Sequence, residues 1–422
     1  MSATVASRDH CTICIHASKA DRVVVNTSSQ QMRHWQGPAI FSFGFRPFFL
    51  MGSLWSALAM GLWLLMLGGQ LDLPTGFDPI TWHANAFLVG YLGAILSGFL
   101  LTAVPNWTGG LPVVGWRLAF LAFLWVAGRL AMLVSEGWPV WLAALLDLAS
   151  LIALFLFLGR EIIVGRNWKN LIVLAILGCV IAGGAMLHLD NARGVATAEG
   201  IGFRFLLGAG IMMISVIGGR IVPSFTRNWL VKNGKEARPA PPMQAFDKVA
   251  LIGLAVAILL WVFDVRPVAF GALIVAGILH AFRLARWKGA QTLSEPLVWV
   301  LHLGYGLVPL GAILLGAAEL SGNPGQIVAA LHIWMAGAIG LMTLAVMTRA
   351  TLGHTGQALR AGLGTVAVYL ALLASVALRA FAGISPGDPH LLYMLSGLFW
   401  IAAFGGFAVL YGPGLLRPRP GT

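Results

Sequence analysis

The chain has 422 residues, of which 59% are hydrophobic and only 10% are charged. Its mean hydropathy is +0.85. This composition leaves too little polar chain for a separate soluble domain, so we expect one domain embedded in a lipid bilayer. The formal net charge of +12 is spread over many short connections rather than gathered on one face, which argues against a nucleic-acid partner.

Apolar stretches long enough to cross a bilayer follow one another along most of the chain. A helix needs roughly 20 apolar residues to span a hydrocarbon core of ~30 Å. We predict twelve spans, at 48–67, 82–104, 116–134, 139–158, 170–187, 201–222, 247–263, 267–284, 296–316, 327–347, 362–382 and 389–411. The predicted fold class is therefore all-α, a polytopic membrane protein of about 12 transmembrane helices at 37–412, with tails at 1–36 and 413–422.

The basic residues predict how the chain is oriented in the membrane. Of its 27 Lys and Arg residues, all but five lie in or beside the two tails and alternate connections. By the positive-inside rule this majority is cytoplasmic, so we predict both termini in the cytoplasm. The exceptions, on the predicted outer side, are Arg129, Arg193, Arg204, Arg266 and Arg379.

The tail at 1–36 is polar and has no apolar core, so we expect a disordered cytoplasmic segment rather than a signal peptide or a span. A tight group of thiols and imidazoles within it is a weak metal-binding pattern, because no second pair of ligands accompanies it. We prefer the alternatives, an unstructured tail or an upstream start chosen in error. The group consists of His10, Cys11, Cys14 and His16.

Similar turns, rich in hydroxyl and amide side chains, close spans 2, 6 and 10. They lie at 101–109, 220–228 and 347–356, and the intervals between them are nearly equal. This spacing suggests a threefold pseudo-repeat of four helices. Chance similarity among turns rich in Gly and Thr is the alternative.

Ionisable side chains inside a bilayer are unfavourable unless they are paired or bind a ligand, so they mark candidate sites. Asp147 is the only carboxylate well inside a predicted span, with Arg129 as a candidate partner. Histidines are more informative, because imidazole is a common ligand of haem and copper, although a single membrane histidine more often hydrogen-bonds between helices. His83, His188 and His332 share one depth near the predicted outer side, and His280, His302 and His354 lie nearer the cytoplasm.

Small residues follow two of these histidines at helical spacing. Small side chains below a histidine leave room for a flat macrocycle such as haem. They equally allow two helices to approach closely, which is the usual meaning of such spacing in membranes. The positions are Ala86, Gly90, Ala94 and Ser97 after His83, and Ala336, Gly340 and Thr343 after His332.

Six blocks of sequence, in order, carry a resemblance to a known family. They are FRPFF at 45–49, WH at 82–83, GFLLTAVPNWTG at 98–109, GRIVPSFTRN at 219–228, WVLHLGY at 299–305 and MTLAVMTRATLGHTG at 342–356. The blocks resemble the NnrS family. The resemblance implies a twelve-span protein of the bacterial inner membrane that carries haem and copper and is linked to denitrification and nitric-oxide stress.

Three polar residues of these blocks belong to the predicted cytoplasmic level. We expect His302, Arg349 and His354 to form a polar cluster there. Arg349 would meet a haem propionate or another anion, and His302 or His354 would be available to copper. Snorkelling of Arg349 to the lipid surface is the alternative.

The chain departs from the family pattern just after His83. The family usually has a further His and Glu two and three positions on, where this chain has Asn85 and Ala86. Residues two apart lie about 200° apart around a helix, so position 85 faces away from His83, and it could face another helix that carries His188. The departure weakens the prediction of copper more than that of haem.

The positions of His83 and His332 also resemble, at the level of fold alone, the haem-copper oxidases. Their twelve-helix core has threefold pseudosymmetry and binds a low-spin haem through His on helices 2 and 10. Span 6 has no histidine, so an oxidase-type copper centre is not supported. We therefore predict His83 and His332 as axial haem ligands, with His188, His302 and His354 as further candidate metal ligands.

These patterns favour a haem-bearing membrane protein of nitric-oxide metabolism or defence that binds or turns over NO or a nitrosyl species. The alternative is a transporter or assembly factor that moves haem or copper, using the two levels of histidine. A redox enzyme should retain redox-active haem through purification, whereas a carrier should lose it readily. No motif identifies a redox partner or decides whether the protein is an enzyme.

Overall fold

The structure, a computed structural model, describes residues 35–418, and within them it contains helices and turns but no strand. The predicted all-α class is confirmed. The thiol and imidazole group around Cys11 and Cys14 lies outside the described residues, as do the last residues of the predicted C-terminal tail, from 419 onward.

Twelve long helices make up the described chain. They are α1 (Phe45–Leu67), α2 (Pro79–Thr108), α3 (Trp116–Ala131), α4 (Val140–Val164), α5 (Leu171–Ala192), α6 (Ile201–Lys232), α7 (Ala245–Val262), α8 (Val268–Ala285), α9 (Pro296–Ser321), α10 (Pro324–His354), α11 (Leu363–Ala382) and α12 (His390–Leu416). Short 3₁₀ turns precede α1, α5 and α9.

Every predicted span corresponds to one of these helices. Within residues 35–418, 11 helices are long and apolar enough to cross a membrane. The exception is α3, whose 16 residues rise about 24 Å, slightly less than the hydrocarbon core. The predicted polytopic membrane protein is thus confirmed, whereas the orientation of the termini and the threefold repeat stay predictions.

The predicted ends are less accurate than the predicted spans. The predicted sixth span is 201–222, but the helix α6 continues to Lys232 with Pro223 in its interior. The hydroxyl of Ser224 donates to the carbonyl of Arg220 at 2.6 Å, and that of Thr226 donates to the carbonyl of Val222 at 2.8 Å. Such hydroxyls support a membrane helix around proline, so the helix extends beyond its apolar stretch.

The helices differ in how deeply they are buried. In the most apolar windows of α2, α6 and α10, 83%, 78% and 72% of residues are buried, against 28% in α1 and 33% in α12. These three helices therefore form the interior of the bundle, and the others present more of their surface to lipid. Two of the interior helices, α2 and α10, carry the predicted haem ligands.

A buried polar network connects α7, α8 and α9. Arg283 donates through Nε to Asp247 Oδ1 at 2.8 Å and through Nη1 to the Tyr305 hydroxyl at 2.7 Å. His280 lies 3.0 Å through Nε2 from the carbonyl of Ala250 and 2.9 Å through Nδ1 from the Tyr305 hydroxyl. A neutral His280 must therefore donate to the carbonyl and accept from the tyrosine. His280 therefore hydrogen-bonds between helices, which is the more common role of a single histidine in a membrane.

Gly219 of α6 lies directly against this network. A Cβ at position 219 would be 2.0 Å from Arg283 Nη2, so Gly219→Ala should displace the guanidinium from Asp247. Breaking a buried ion pair costs about 3–5 kcal/mol, far more than the ~1 kcal/mol that Ala gains over Gly in a helix. We expect a markedly lower thermal unfolding midpoint in detergent.

Gly271→Ala in α8 is the matched control for this substitution. No atom lies within 4 Å of a Cβ built at Gly271, so its unfolding midpoint should be unchanged or slightly higher. Equal midpoints for the two variants would show that Gly219 is not required by Arg283.

Candidate functional site

His83 lies one turn inside the start of α2, where the local sequence fixes the helix end. Asp78 caps the helix, since its Oδ1 accepts from the backbone N–H groups of Ile80 at 2.9 Å and Thr81 at 3.1 Å, and Pro79 occupies the first helical position. Both features favour a helix start at this point. The histidine is therefore held close to one end of the bundle.

Two aromatic rings orient the His83 imidazole. Trp63 of α1 stacks on it with ring centroids 4.4 Å apart, and Phe87, one turn further along α2, lies 5.0 Å away. Its Nδ1 is buried and has no hydrogen-bond partner. Aromatic packing fixes the ring without using that nitrogen, so its bonding capacity is open to a ligand.

His332 occupies the matching end of α10. Asn323 caps this helix by accepting from the backbone N–H of Gln326 at 3.1 Å, and Pro324 follows it at the first helical position. His332 Nδ1 donates to the carbonyl of Val328 at 2.8 Å. That bond leaves the lone pair of a neutral imidazole on Nε2, the nitrogen arrangement typical of a metal-binding histidine.

The two imidazoles share their surroundings with a cation. His83 and His332 lie within electrostatic range of each other, and both lie within that range of Arg379 of α11. The Arg379 guanidinium lies over the Tyr393 ring of α12, 4.6 Å from its centroid. We call His83, His332 and Arg379 the His83 site. From the sequence, Arg379 is only one of the five basic residues of the predicted outer side.

Both histidine-bearing helices are π-helical just after the histidine, at Ala86–Tyr91 in α2 and at Ile333–Ile339 in α10. A π segment carries an extra residue and is common at functional sites. In α2, tryptophan side chains bond to its carbonyls: Trp55 Nε1 donates to Ala86 at 2.8 Å, and Trp125 Nε1 donates to Gly90 at 3.0 Å. Regular α-helical spacing therefore does not describe the faces below the two histidines.

The small residues below the histidines accept aromatic side chains. A Cβ at Gly90 would lie 2.6 Å from Trp55 Nε1, and a Cβ at Gly340 would lie 3.2 Å from the Trp400 ring. At these two positions the structure favours close packing over an open cradle for a macrocycle. The helices are also joined directly, because the hydroxyls of Tyr91 and Thr343 lie 2.6 Å apart. The fit to haem consequently depends on the imidazoles and the cation, not on the small residues.

Position 85 faces a second cluster on the opposite side of α2. Asp147 Oδ2 accepts from Asn85 Nδ2 at 2.7 Å and lies 2.9 Å from His188 Nε2. Asp147 also pairs with Arg129 through its other oxygen, which confirms the predicted partner. All four side chains are buried. We call Asn85, Arg129, Asp147 and His188 the Asp147 cluster.

The Asp147 cluster agrees with the angular prediction for α2. Asn85 and His188 bond to the same carboxylate oxygen, so position 85 does face the helix that carries His188. A small cavity of about 100 Å³ is lined by His188 together with Phe77, Ser135 and Asn191. The described residues 35–418 hold no group of three or more His, Cys, Asp or Glu side chains that could bind a metal ion.

The remaining predicted residues lie at the opposite end of the bundle. Thr226 Oγ1 donates to the carbonyl of Val222 and lies 2.7 Å from His302 Nε2. His302 Nε2 must therefore donate, which leaves a lone pair on Nδ1, and Nδ1 is buried without a hydrogen-bond partner. Arg349 lies over the Phe225 ring at 4.2 Å. Because residues 225 and 226 are adjacent in α6, His302 and Arg349 both contact the same turn of that helix.

His354 is held by a different part of the molecule. Its ring packs against Phe43 and Phe45, with centroids 5.1 Å and 5.4 Å away. It is exposed, whereas His302 contacts α6. His302 and Arg349 thus contact adjacent residues of α6, and both the predicted polar cluster and a copper ion shared by His302 and His354 stay predictions.

The Asp147 cluster predicts an asymmetry between single and double substitutions. Asp147→Asn should lower the free energy of unfolding by about 3–5 kcal/mol, because it leaves the Arg129 charge buried and unpaired. Combining it with Arg129→Met removes both charges and should recover part of the loss. Unfolding midpoints of the two variants in detergent test this, and a double variant less stable than the single one would contradict it.

The geometry can be compared with known proteins. A family model described as the NnrS protein matches residues 39–419, nearly the whole chain. No curated protein matches the chain. The predicted family is therefore confirmed: the chain belongs to the NnrS family, which is associated with the response to nitric oxide.

Proposed function

We propose that the protein binds haem between α2 and α10, with His83 and His332 as the axial ligands, and acts in nitric-oxide metabolism or defence in a bacterial inner membrane. One observation carries the proposal. Two imidazoles on different interior helices lie within electrostatic range of each other, and each keeps a nitrogen for which the protein provides no hydrogen bond. Bound haem would supply one-electron chemistry and affinity for NO.

The chemistry of the donor set fits this group. Neutral imidazoles are the usual axial ligands of haem in electron-transfer and sensing proteins. The bond from His332 Nδ1 to the carbonyl of Val328 is the kind of outer contact that fixes the tautomer of a metal-bound histidine. Trp63 gives His83 a comparable orientation by stacking. The residues present would therefore hold haem through the nitrogens that make no hydrogen bond within the protein.

The two imidazoles are held in different ways. A hydrogen bond to the carbonyl of Val328 fixes His332, whereas stacking on Trp63 holds His83. Of the two residues that would hold haem, His83 would therefore be the more easily displaced. This difference suits binding or sensing of NO coupled to movement of the His83 imidazole.

Removing either ligand tests the haem proposal. His83→Ala and His332→Ala should each convert a six-coordinate haem spectrum to a five-coordinate one or abolish haem binding, because one axial nitrogen is lost. The measurement is the absorbance spectrum of purified protein, oxidised and reduced. His390→Ala, at an exposed helix start, is the control and should leave the spectrum intact. Unchanged spectra in both ligand variants would end the proposal.

We propose that the Asp147 cluster binds copper only in a variant that restores the family's His and Glu at positions 85 and 86. An imidazole at position 85 would lie beside Asp147, whose Oδ2 already bonds to both Asn85 and His188. Asn85→His with Ala86→Glu should therefore raise the copper content, measured by elemental analysis, while the haem content stays constant. The gain should vanish when His188→Ala is added. An unchanged copper content in the double variant would mean that positions 85 and 86 do not control a metal site.

A carrier of haem or copper is the second candidate, and His302 is the observation that favours it. Its Nδ1 is a buried acceptor without a partner at the end of the bundle opposite to His83, so imidazoles are available at two levels. Retention of haem during purification distinguishes the redox or sensing role from the carrier. A haem that survives repeated detergent washes at constant stoichiometry supports the redox or sensing role, and progressive loss supports the carrier.

A further inference from the structure

We propose that Arg379 is the anion-binding residue of the His83 site and that it binds a carboxylate of the porphyrin. This inference rests on the proposed function, because it concerns the same ligand. The sequence instead predicts Arg349 as the residue that meets a haem propionate. Arg349 and His332 both lie on α10, 17 positions or about 25 Å apart along the helix, so one macrocycle at His332 does not also reach Arg349.

The packing of α10 against α11 places Arg379 beside His332. A Cβ at Gly383 would lie 2.6 Å from Ala329 Cβ and 2.4 Å from the carbonyl of Gly325, so the two helix ends are in close contact. The helices run antiparallel. Arg379 lies one turn before Gly383, and His332 lies nearly one turn after Ala329, which brings the two side chains to the same level.

The Arg379 guanidinium has no counter-charge among residues 35–418. Its Nη1 is buried and makes no hydrogen bond, and Arg379 belongs to none of the ion pairs among these residues. Tyr393 offers a ring face at 4.6 Å but no negative charge. By contrast, the more deeply buried arginines have acceptors: Arg129 and Arg283 each donate to a carboxylate.

An unpaired guanidinium within a membrane helix is unfavourable unless something satisfies it. Arg379 is near the end of α11, but its buried Nη1 shows that it does not simply extend into the interface. Its neighbours are two imidazoles, which supply no negative charge. The missing partner is therefore an anion, and a carboxylate matches the planar donor pair of a guanidinium best. A metalloporphyrin with carboxylate groups satisfies the imidazoles and the guanidinium together.

Binding of two probes to the full chain tests this assignment. The chain is produced without haem in detergent micelles, and haemin and haemin dimethyl ester are titrated while the Soret absorbance is followed. The ester keeps the iron and the macrocycle but has no carboxylate. Wild type should prefer haemin by roughly 10- to 100-fold, the usual range for a hydrogen-bonded ionic contact. Arg379→Gln should lose most of this preference.

Comparing each variant's preference for haemin over the dimethyl ester, rather than its affinity for one probe, isolates the effect of Arg379 on carboxylate binding. Each probe partitions into micelles equally for all variants, so the change in the ratio of dissociation constants reports only the coupling between residue and carboxylate. Arg349→Gln is the matched control, because it removes an arginine that also lies over an aromatic ring, and it should keep the wild-type preference. Arg379→Lys should keep a part of it.

The outcomes separate this inference from the proposed function. Wild type that binds both probes with equal affinity, or Arg379→Gln that keeps the full preference, overturns the role of Arg379 and leaves haem binding intact. Loss of the preference in Arg349→Gln but not in Arg379→Gln would assign the carboxylate to the other arginine. Wild type that binds neither probe overturns both the inference and the haem proposal.

Discussion

The bilayer provides no water to polar groups inside it, and the arrangement of this bundle follows from that constraint. Its buried arginines show how it is met. Arg46 of α1 donates to the carbonyl of Leu415 at 3.0 Å and so ties the first helix to the last. Arg129 joins α3 to Asp147 of α4, and Arg283 joins α8 to Asp247 of α7. Each charge is satisfied by a distant segment, so the same contacts also fix which helices are neighbours.

The transmembrane spans could be predicted from the sequence because their cause is local and additive. An apolar stretch of sufficient length favours the membrane whatever surrounds it, so all twelve helices lie where their spans were predicted. The ends depend on side chains that bond to the backbone, such as Thr226 in the extended part of α6. In the π segment of α2, tryptophans from other helices bond to the carbonyls of Ala86 and Gly90. Neither is encoded in the spacing of apolar residues.

In the candidate site, too, some features could be predicted from the sequence and others depend on how the helices pack. The angular argument for position 85 needed only helix geometry, and Asn85 does face His188 through Asp147. The small residues below His83 and His332 were harder to interpret, because the sequence does not reveal that Trp55 and Trp400 fill those faces. Arg379 was missed because a basic residue near a helix end is normally explained by topology. Only the packed structure shows that its Nη1 is buried without a hydrogen-bond partner and that the residue lies within electrostatic range of two imidazoles.

The His83 site and the Asp147 cluster both include a residue of α2, and the same stretch of that helix contacts residues near each of them. Arg129 pairs with Asp147 on one side, and its Nη1 would lie 2.8 Å from a Cβ at Gly90, within the π segment that follows His83. The indole of Trp55 bonds to the carbonyl of Ala86 and lies against the same glycine. Arg129 and Trp55 therefore pack against the same π segment of α2, which begins three residues after His83. The Asp147 cluster is in this way packed against the helix that carries His83.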